Sequence, residues 1–403
     1  MAIVINGSGT VTGLAVGGLP DGTVDAGTLA SNAVTEAKIA TDSVTAAKIP
    51  DTVEAGFKSG RKNMVINGAM QVAQRGTSFS AGSSGIYTLD RFKAENDAAS
   101  MTVSQDTDSP VGFSSSLKCL NGSGTASSGS DSCYIRQYFE GYNTSHLEIG
   151  TANAKEVTLS FWVKSSITGT YIVSFLNAGQ DDGYATSYTI SSANTWEYKT
   201  VTLTFSDYAS WSGSTTNSSN FILHFDLGSG PDRDFTSLNV WNDNVNNKWT
   251  HSSQVDWVAT TGATFYLTGV QLELGSTATD FEHRSYGEEL ALCQRYYERF
   301  IADASAEMLI GVGVNASATD VFINYPYKQI KRVIPSFSSS GASHFERLTA
   351  SWGAGSSINC QANIATARLN MGGFPSSTIW NATEVRITAA ANDAHWFAFD
   401  AEL

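Results

Sequence analysis

The chain has 403 residues, 36 of them glycine, with 15% charged and 11% aromatic residues and a formal net charge of -14 at pH 7. That length allows two or three domains of roughly 100 to 200 residues, and the acidic balance, with no clustered Lys and Arg, excludes a partner held by its phosphate backbone. The start "MAIVINGSG" lacks a basic, apolar leader and no run of 18 apolar residues occurs, so the expectation is a chain that inserts in no membrane and is assembled in a cytoplasm.

Residues 1–60 hold no Trp or Tyr and repeat a ten-residue unit, seen best in "SNAVTEAKIATDSVTAAKIP". Val24, Leu29, Val34, Ile39, Val44 and Ile49 recur five apart, with Ser, Thr, Asn and Asp breaks between them. So few apolar atoms cannot cover one another within one chain. Parallel copies of the chain would bury them in layers around a common axis, which makes 1–60 a short trimerisation and attachment shaft. A low-complexity linker is the alternative.

From 61 to 284 the texture becomes that of strands and turns. "EVTLSFWVKSS" sets Val157, Leu159, Phe161 and Val163 on one face and Thr158, Ser160, Trp162 and Lys164 on the other, the period of a half-buried strand. "NFILHFDLGSG" repeats the pattern at Phe221, Leu223, Phe225 and Leu227. In "TWEYKTVTLTF" the large residues change phase after Tyr198, which a bulge or a change of sheet would explain, and "TFYLTGVQLELG" points to a like shift at Gly269. Such strands suit a central antiparallel jelly-roll sandwich. Cys119 and Cys133 flank a Gly/Ser loop, where a cross-strand bridge and free buried thiols are both open, the latter favoured in a cytosol-made chain.

"SYGEELALCQRYYERF" predicts one short helix over 285–300, opened by a Ser285/Glu288 capping box. Its stripe of Leu290, Cys293, Tyr297 and Phe300 has coiled-coil spacing, so it could pack on symmetry mates or on a neighbouring sheet. Residues 301–403 return to short strands and are read as a C-terminal β-sandwich tip.

"NMVINGAMQVAQRGTSFS", "YTLDRF", "SFWVKSS" and, above all, "LTGVQLELGSTATDFEHRSYGEELALCQRYYERF" resemble stretches of tail-fibre and virion-surface proteins of tailed bacteriophages, over roughly 60–300. The resemblance implies a homotrimer that docks on other virion proteins through its N-terminal segment, sits on the tail or particle surface, and meets host cell-surface glycan with distal β domains. It also implies a middle part like the jelly rolls of carbohydrate-binding modules. A capsid or tail decoration without receptor binding, and a glycan-degrading tailspike, are the alternatives it leaves.

Enzyme signatures are sparse. There is no phosphate-binding loop, nucleophile elbow, HExxH or CxxC, and the six histidines are scattered. The expectation is therefore no catalytic residue, no metal and no cofactor; a structural Ca2+ is conceivable but no spaced loop supports one. Asp181, Asp182, Asp232, Asp234, Asp243 and Asp256 lie in polar loops, where Asp is ordinarily a turn residue rather than half of a hydrolytic pair. Aromatic rings in such loops are the better clue, because sugars present an apolar C–H face with hydroxyls at its rim. Trp211, Trp241, Trp249, Trp352 and Trp380 fit that description, with Trp352 and Trp380 nearest the expected tip.

Overall fold

The computed structural model describes residues 61–403 except 206–210, 212–213, 244–245, 303–305, 349–350 and 390–393, together with a short antiparallel pair, Val4–Ile5 with Val11–Thr12. Residues Met1–Lys58 form a unit of their own and Ser59–Leu403 a second. The repeat residues Val24, Leu29, Val34, Ile39, Val44 and Ile49 lie outside the described residues.

The protein is mostly β, as its alternating strands require. Two antiparallel sheets make the central sandwich. One runs Trp241–Asn242, Gly183–Ile190, Gly169–Asn177, Ser219–Asp226, Cys133–Glu140, Lys93–Asn96, Ile86–Tyr87; the other runs Glu197–Thr204, Glu156–Ser165, Thr264–Leu274, Ser116–Asn121, Met101–Asp106, Ser78–Ala81. Consecutive strands keep crossing from sheet to sheet, which is jelly-roll connectivity. The inward rows meet as one core: Val157, Leu159, Phe161 and Val163 face Val173, Phe175, Phe221, Leu223 and Phe225. Cys119 and Cys133 lie in that core as free, buried thiols.

The two expected shifts fared differently. Strand Glu197–Thr204 pairs with Glu156–Ser165 in unbroken register, from Glu197↔Val163 to Thr204↔Glu156. No bulge is needed there, because Val201 and Leu203 point inward while Tyr198 points outward with its ring 43% exposed. The bulge at Gly269 is present: register shifts between Thr268 and Gln271, and Gly269 has φ +60°. Before it Phe265 and Leu267 fill the core; after it Val270 and Leu272 do. One extra residue thus keeps both halves of an odd/even sequence facing inward.

The helix opens where the capping box puts it, with Ser285 Oγ accepting from the Glu288 amide, but it spans only Tyr286–Gln294. Tyr297–Ile301 is instead a strand paired to Trp396–Asp400. Its apolar stripe is consumed within the chain. Cys293 is fully buried with Ile66, Val72 and Tyr296, and Leu290 packs against the same cluster. Tyr297 is 7% exposed and Phe300 stacks on Phe397 at 5.0 Å. A coiled-coil seam at Leu290, Cys293, Tyr297 and Phe300 is therefore not formed, because strand pairing and cation–π contacts override helical spacing. Arg91 and Arg75 stand 3.6 Å over the rings of Tyr296 and Tyr297.

Beyond the helix lies the expected second sandwich. A three-stranded sheet (Tyr297–Ile301, Trp396–Asp400, Ser336–Ser339) covers a seven-stranded one ordered Trp352–Ala354, Phe345–Leu348, Ala382–Ile387, Met308–Asn315, Val321–Pro326, Thr366–Gly372, Ser357–Ala362. Phe397 and Phe399 from the first pack on Val321, Ile323, Tyr325, Leu369, Val385 and Ile387 from the second. The last residues tie the two sandwiches together. The Glu402 carboxylate, its side chain 4% exposed, pairs with Arg91 and Arg75, while Arg332 donates to the carbonyls of Ala401, Glu402 and Asn217.

Candidate functional site

The site grows from the outward row of strand Glu156–Ser165. Trp162 lies opposite Tyr198 on one side and Thr268 on the other, and its ring meets that of Tyr198 at 5.3 Å. In the next row, Lys164 lies opposite Tyr266 with Nζ 4.1 Å from that ring and 5.2 Å from Trp196. Aromatic residues on the polar phase of a strand carry no core role. They turn this sheet face into a ridge.

Two loops wall the ridge. Segment 276–283 is pinned to the sheet just past the Gly269 bulge: Gln271, fully buried, donates to the carbonyls of Thr279 and Asp280 and accepts from the Glu282 amide, while Glu273 accepts from both the amide and hydroxyl of Thr279. This brings Phe281 and His283 against Phe113, ring centroids 5.0 and 5.2 Å away. Segment 107–115, which carries Phe113, is tied down by Asp108. Its carboxylate pairs with Lys164 and accepts from Trp196 Nε1 at 3.0 Å, and these bonds hold it below the usual carboxylate range. Gly269 completes the arrangement, since a Cβ there would sit 2.7 Å from Phe113 Cζ and 3.0 Å from Trp162 Cδ1.

The result is a cavity of about 550 Å³ whose lining includes Phe113, Trp162, Tyr198, Asp280, Phe281 and His283, within the size range of small-molecule sites. Five rings offer flat apolar faces. Asp280, His283 and the Tyr198 hydroxyl supply hydrogen-bonding groups at the rim. Asp280 is the single carboxylate in that lining, so a pair of acids placed for glycoside hydrolysis is not assembled there.

The residues singled out from the sequence divide sharply. Trp211 and Trp249 are 2% and 4% exposed: the former packs edge-on to Trp241 in the aromatic core at Phe205, and the latter donates to Ser229 Oγ beside Tyr134 and His224. Neither has a face to offer a sugar, a correction whose cause is their place on core-facing turns. Trp241 is half-buried with its indole N–H given to the Thr204 carbonyl. Trp352 lies half-buried under the Arg386 guanidinium at 3.9 Å. Trp380 is 73% exposed with φ +65°.

The loop aspartates behave as turn formers. Asp181 and Asp182 take hydrogen bonds from Asn177, Asp232 lies in the one-turn helix Pro231–Arg233 that Asp234 follows, and Asp256 precedes another at Trp257–Ala259. Asp243 is exposed. His224 is fully buried beside Tyr134, its pKa pushed down to about 4 by burial, so it is neutral. Among the described residues no three His, Cys, Asp or Glu stand together as a metal site, and no helix is long and apolar enough to cross a membrane.

Sequence reading did not single out Trp162 or Tyr198. The signal was there: a Trp among Thr, Ser and Lys on the outward phase of a strand. What could not be read was that two distant loops would wall it.

No family model matches the chain, and none of the curated proteins matches it. Solved structures similar to it include the enzymatically active domain of bacteriophage CBA120 tailspike protein 4, at 14% identity and TM-score 0.30 over 53% of this chain and 21% of that one. A family 4 carbohydrate-binding module has 14% identity and TM-score 0.27 over 52% of this chain and 98% of its own. The tandem CBM22-1–CBM22-2 of Paenibacillus barcinonensis Xyn10C has 8% identity and TM-score 0.27 over 86% and 98%.

Proposed function

We propose that the protein is a non-enzymatic fibre or surface protein of a phage particle, homotrimeric through residues 1–60, docked on other virion proteins by that segment, and binding host cell-surface glycan on the outer face of its jelly roll. The observation that carries the glycan reading is the pairing of Trp162 and Tyr198 at the floor of a cavity walled by Phe113, Phe281 and His283. A pyranose ring lying on these faces would bury its C–H surface and leave its hydroxyls for Asp280 and the rim. The resemblance of "GVQLELG" through "CQRYYERF" to phage fibre proteins supports the virion assignment, and the same stretch supplies Gly269, Phe281 and His283. Weak sites repeated on three chains, and on several trimers, give avidity on a cell surface.

The test is retention of the full-length protein by host surface polysaccharide, with Trp162→Ala/Tyr198→Ala as the variant. Loss of retention with an unchanged far-ultraviolet spectrum is expected; undiminished retention would overturn the site. Release of reducing ends from the same polysaccharide by the purified protein would overturn the non-enzymatic part.

A further inference from the structure

Strand Met308–Asn315 is the middle of the seven-stranded C-terminal sheet. Its neighbours turn Val385, Ile387, Val321 and Ile323 inward to the core. On the outer face it carries Leu309, Val312 and Val314, which are 54, 62 and 45% exposed. The register places Val314 between Ala382 and Phe322, and Val312 opposite Glu384. A stripe of branched aliphatic side chains at the centre of a wide sheet is a face built to be covered.

The charges on either side of the stripe say by what. On one flank Glu384 is exposed and, among the described residues, has no cationic partner. On the other, Arg368 is exposed, stacked 4.5 Å over the Phe322 ring and donating to Asn370 Oδ1 at 3.1 Å and to Gln361 Oε1, again with no carboxylate partner among the described residues. Three inter-strand steps separate their strands, or roughly 14 Å at about 4.8 Å each, too far for an ion pair within one chain. A face with an apolar centre, an unpaired acid on one side and an unpaired base on the other is complementary to itself. Sugar recognition, by contrast, needs flat rings and hydrogen-bonding groups, and Leu309, Val312 and Val314 supply neither.

We propose that the outer face of the seven-stranded sheet is a contact surface for a second copy of this chain, with the Leu309/Val312/Val314 stripes meeting and Arg368 of each copy reaching Glu384 of the other. The contact does not use the glycan site or the N-terminal repeats and, being two-fold, it would join a chain of one trimer to a chain of another.

The test is cysteine cross-linking of the full-length protein in a Cys360→Ser background, since Cys119, Cys133 and Cys293 are buried and Cys360 is half-buried. Val312→Cys, oxidised with copper phenanthroline, should give covalent dimers several-fold above a Val111→Cys control, whose position on the jelly roll is fully exposed. Adding Glu384→Arg should cut the dimer yield, and adding Arg368→Glu as well should restore it. Val312→Cys cross-linking no better than the control, or a charge swap that restores nothing, would overturn the proposal, as would loss of cross-linking in the presence of host polysaccharide with the Trp162/Tyr198 site disabled.

Discussion

Each sandwich has an outer sheet face with a distinct chemistry, and the two are opposite in kind. On the jelly roll, strands Glu156–Ser165 and Glu197–Thr204 turn Trp162 and Tyr198 outward, and loops at 107–115 and 276–283 fold up beside them into a cavity. On the C-terminal sheet the outward side chains of Met308–Asn315 are aliphatic, and they stand 45 to 62% exposed. The same two-residue period thus codes for two kinds of surface. A ring beside a loop wall suits a small ligand with an apolar face and a hydroxyl rim; an aliphatic stripe between unpaired charges suits another protein surface.

That contrast can be tested at several depths. The largest effect belongs to Trp162→Ala/Tyr198→Ala. Central aromatic anchors are each worth about 2 kcal/mol or more, so titration calorimetry against host polysaccharide should show affinity falling on the order of 100-fold or more. Leu309→Ser/Val312→Ser should leave that affinity unchanged, and a loss there would erase the distinction between the faces.

Acid should weaken the jelly roll through His224. His224 has its pKa pushed down to about 4 by burial, against about 6.5 in the unfolded chain. Between those values the unfolded chain takes up a proton that the folded chain refuses, so stability is whole above about 6.5 and declines as pH falls toward 4, by on the order of 3 kcal/mol. Buried Asp90, pushed up to about 6 by burial, takes up a proton over the same range and opposes this loss, so the urea midpoint should fall further between pH 7 and pH 5 in the parent protein than in His224→Asn.

Gly269→Ala sharpens the comparison further. A left-handed conformation at a residue with a Cβ costs roughly 1–2 kcal/mol, and the methyl would press on Phe113 and Trp162. Melting temperature and glycan affinity should fall together, whereas an affinity loss without a stability loss would mean the bulge positions the walls only. Smallest of all, Val312→Ser removes no intrachain core contact, and its effect on stability, read from thermal unfolding, should stay within about 0.5 kcal/mol.

Much of the fold was legible in single strands. Val157, Leu159, Phe161 and Val163 face the core as their alternation requires, the Gly269 shift was visible as a change of phase, and Ser285 and Glu288 marked the helix start. The candidate site was not legible in the same way. Trp211 and Trp249 sit in polar stretches yet are buried, because segments far along the chain close over them. The helix end was misread because Arg75 and Arg91, some 200 residues upstream, recruit Tyr297 and Tyr296 into other contacts.

Alternation along a strand is a local property, since it follows from successive Cβ atoms pointing to opposite faces; which residues share a face was therefore written in the chain. Whether an outward ring is roofed, walled or left open depends on loops that arrive from elsewhere. Phe113 and Phe281, 168 positions apart, meet over Gly269 because buried Gln271 and Glu273 hold one loop and Asp108 holds the other. Contacts between loops so distant leave no periodic trace in a sequence, and it is these that turned a row of side chains into a cavity.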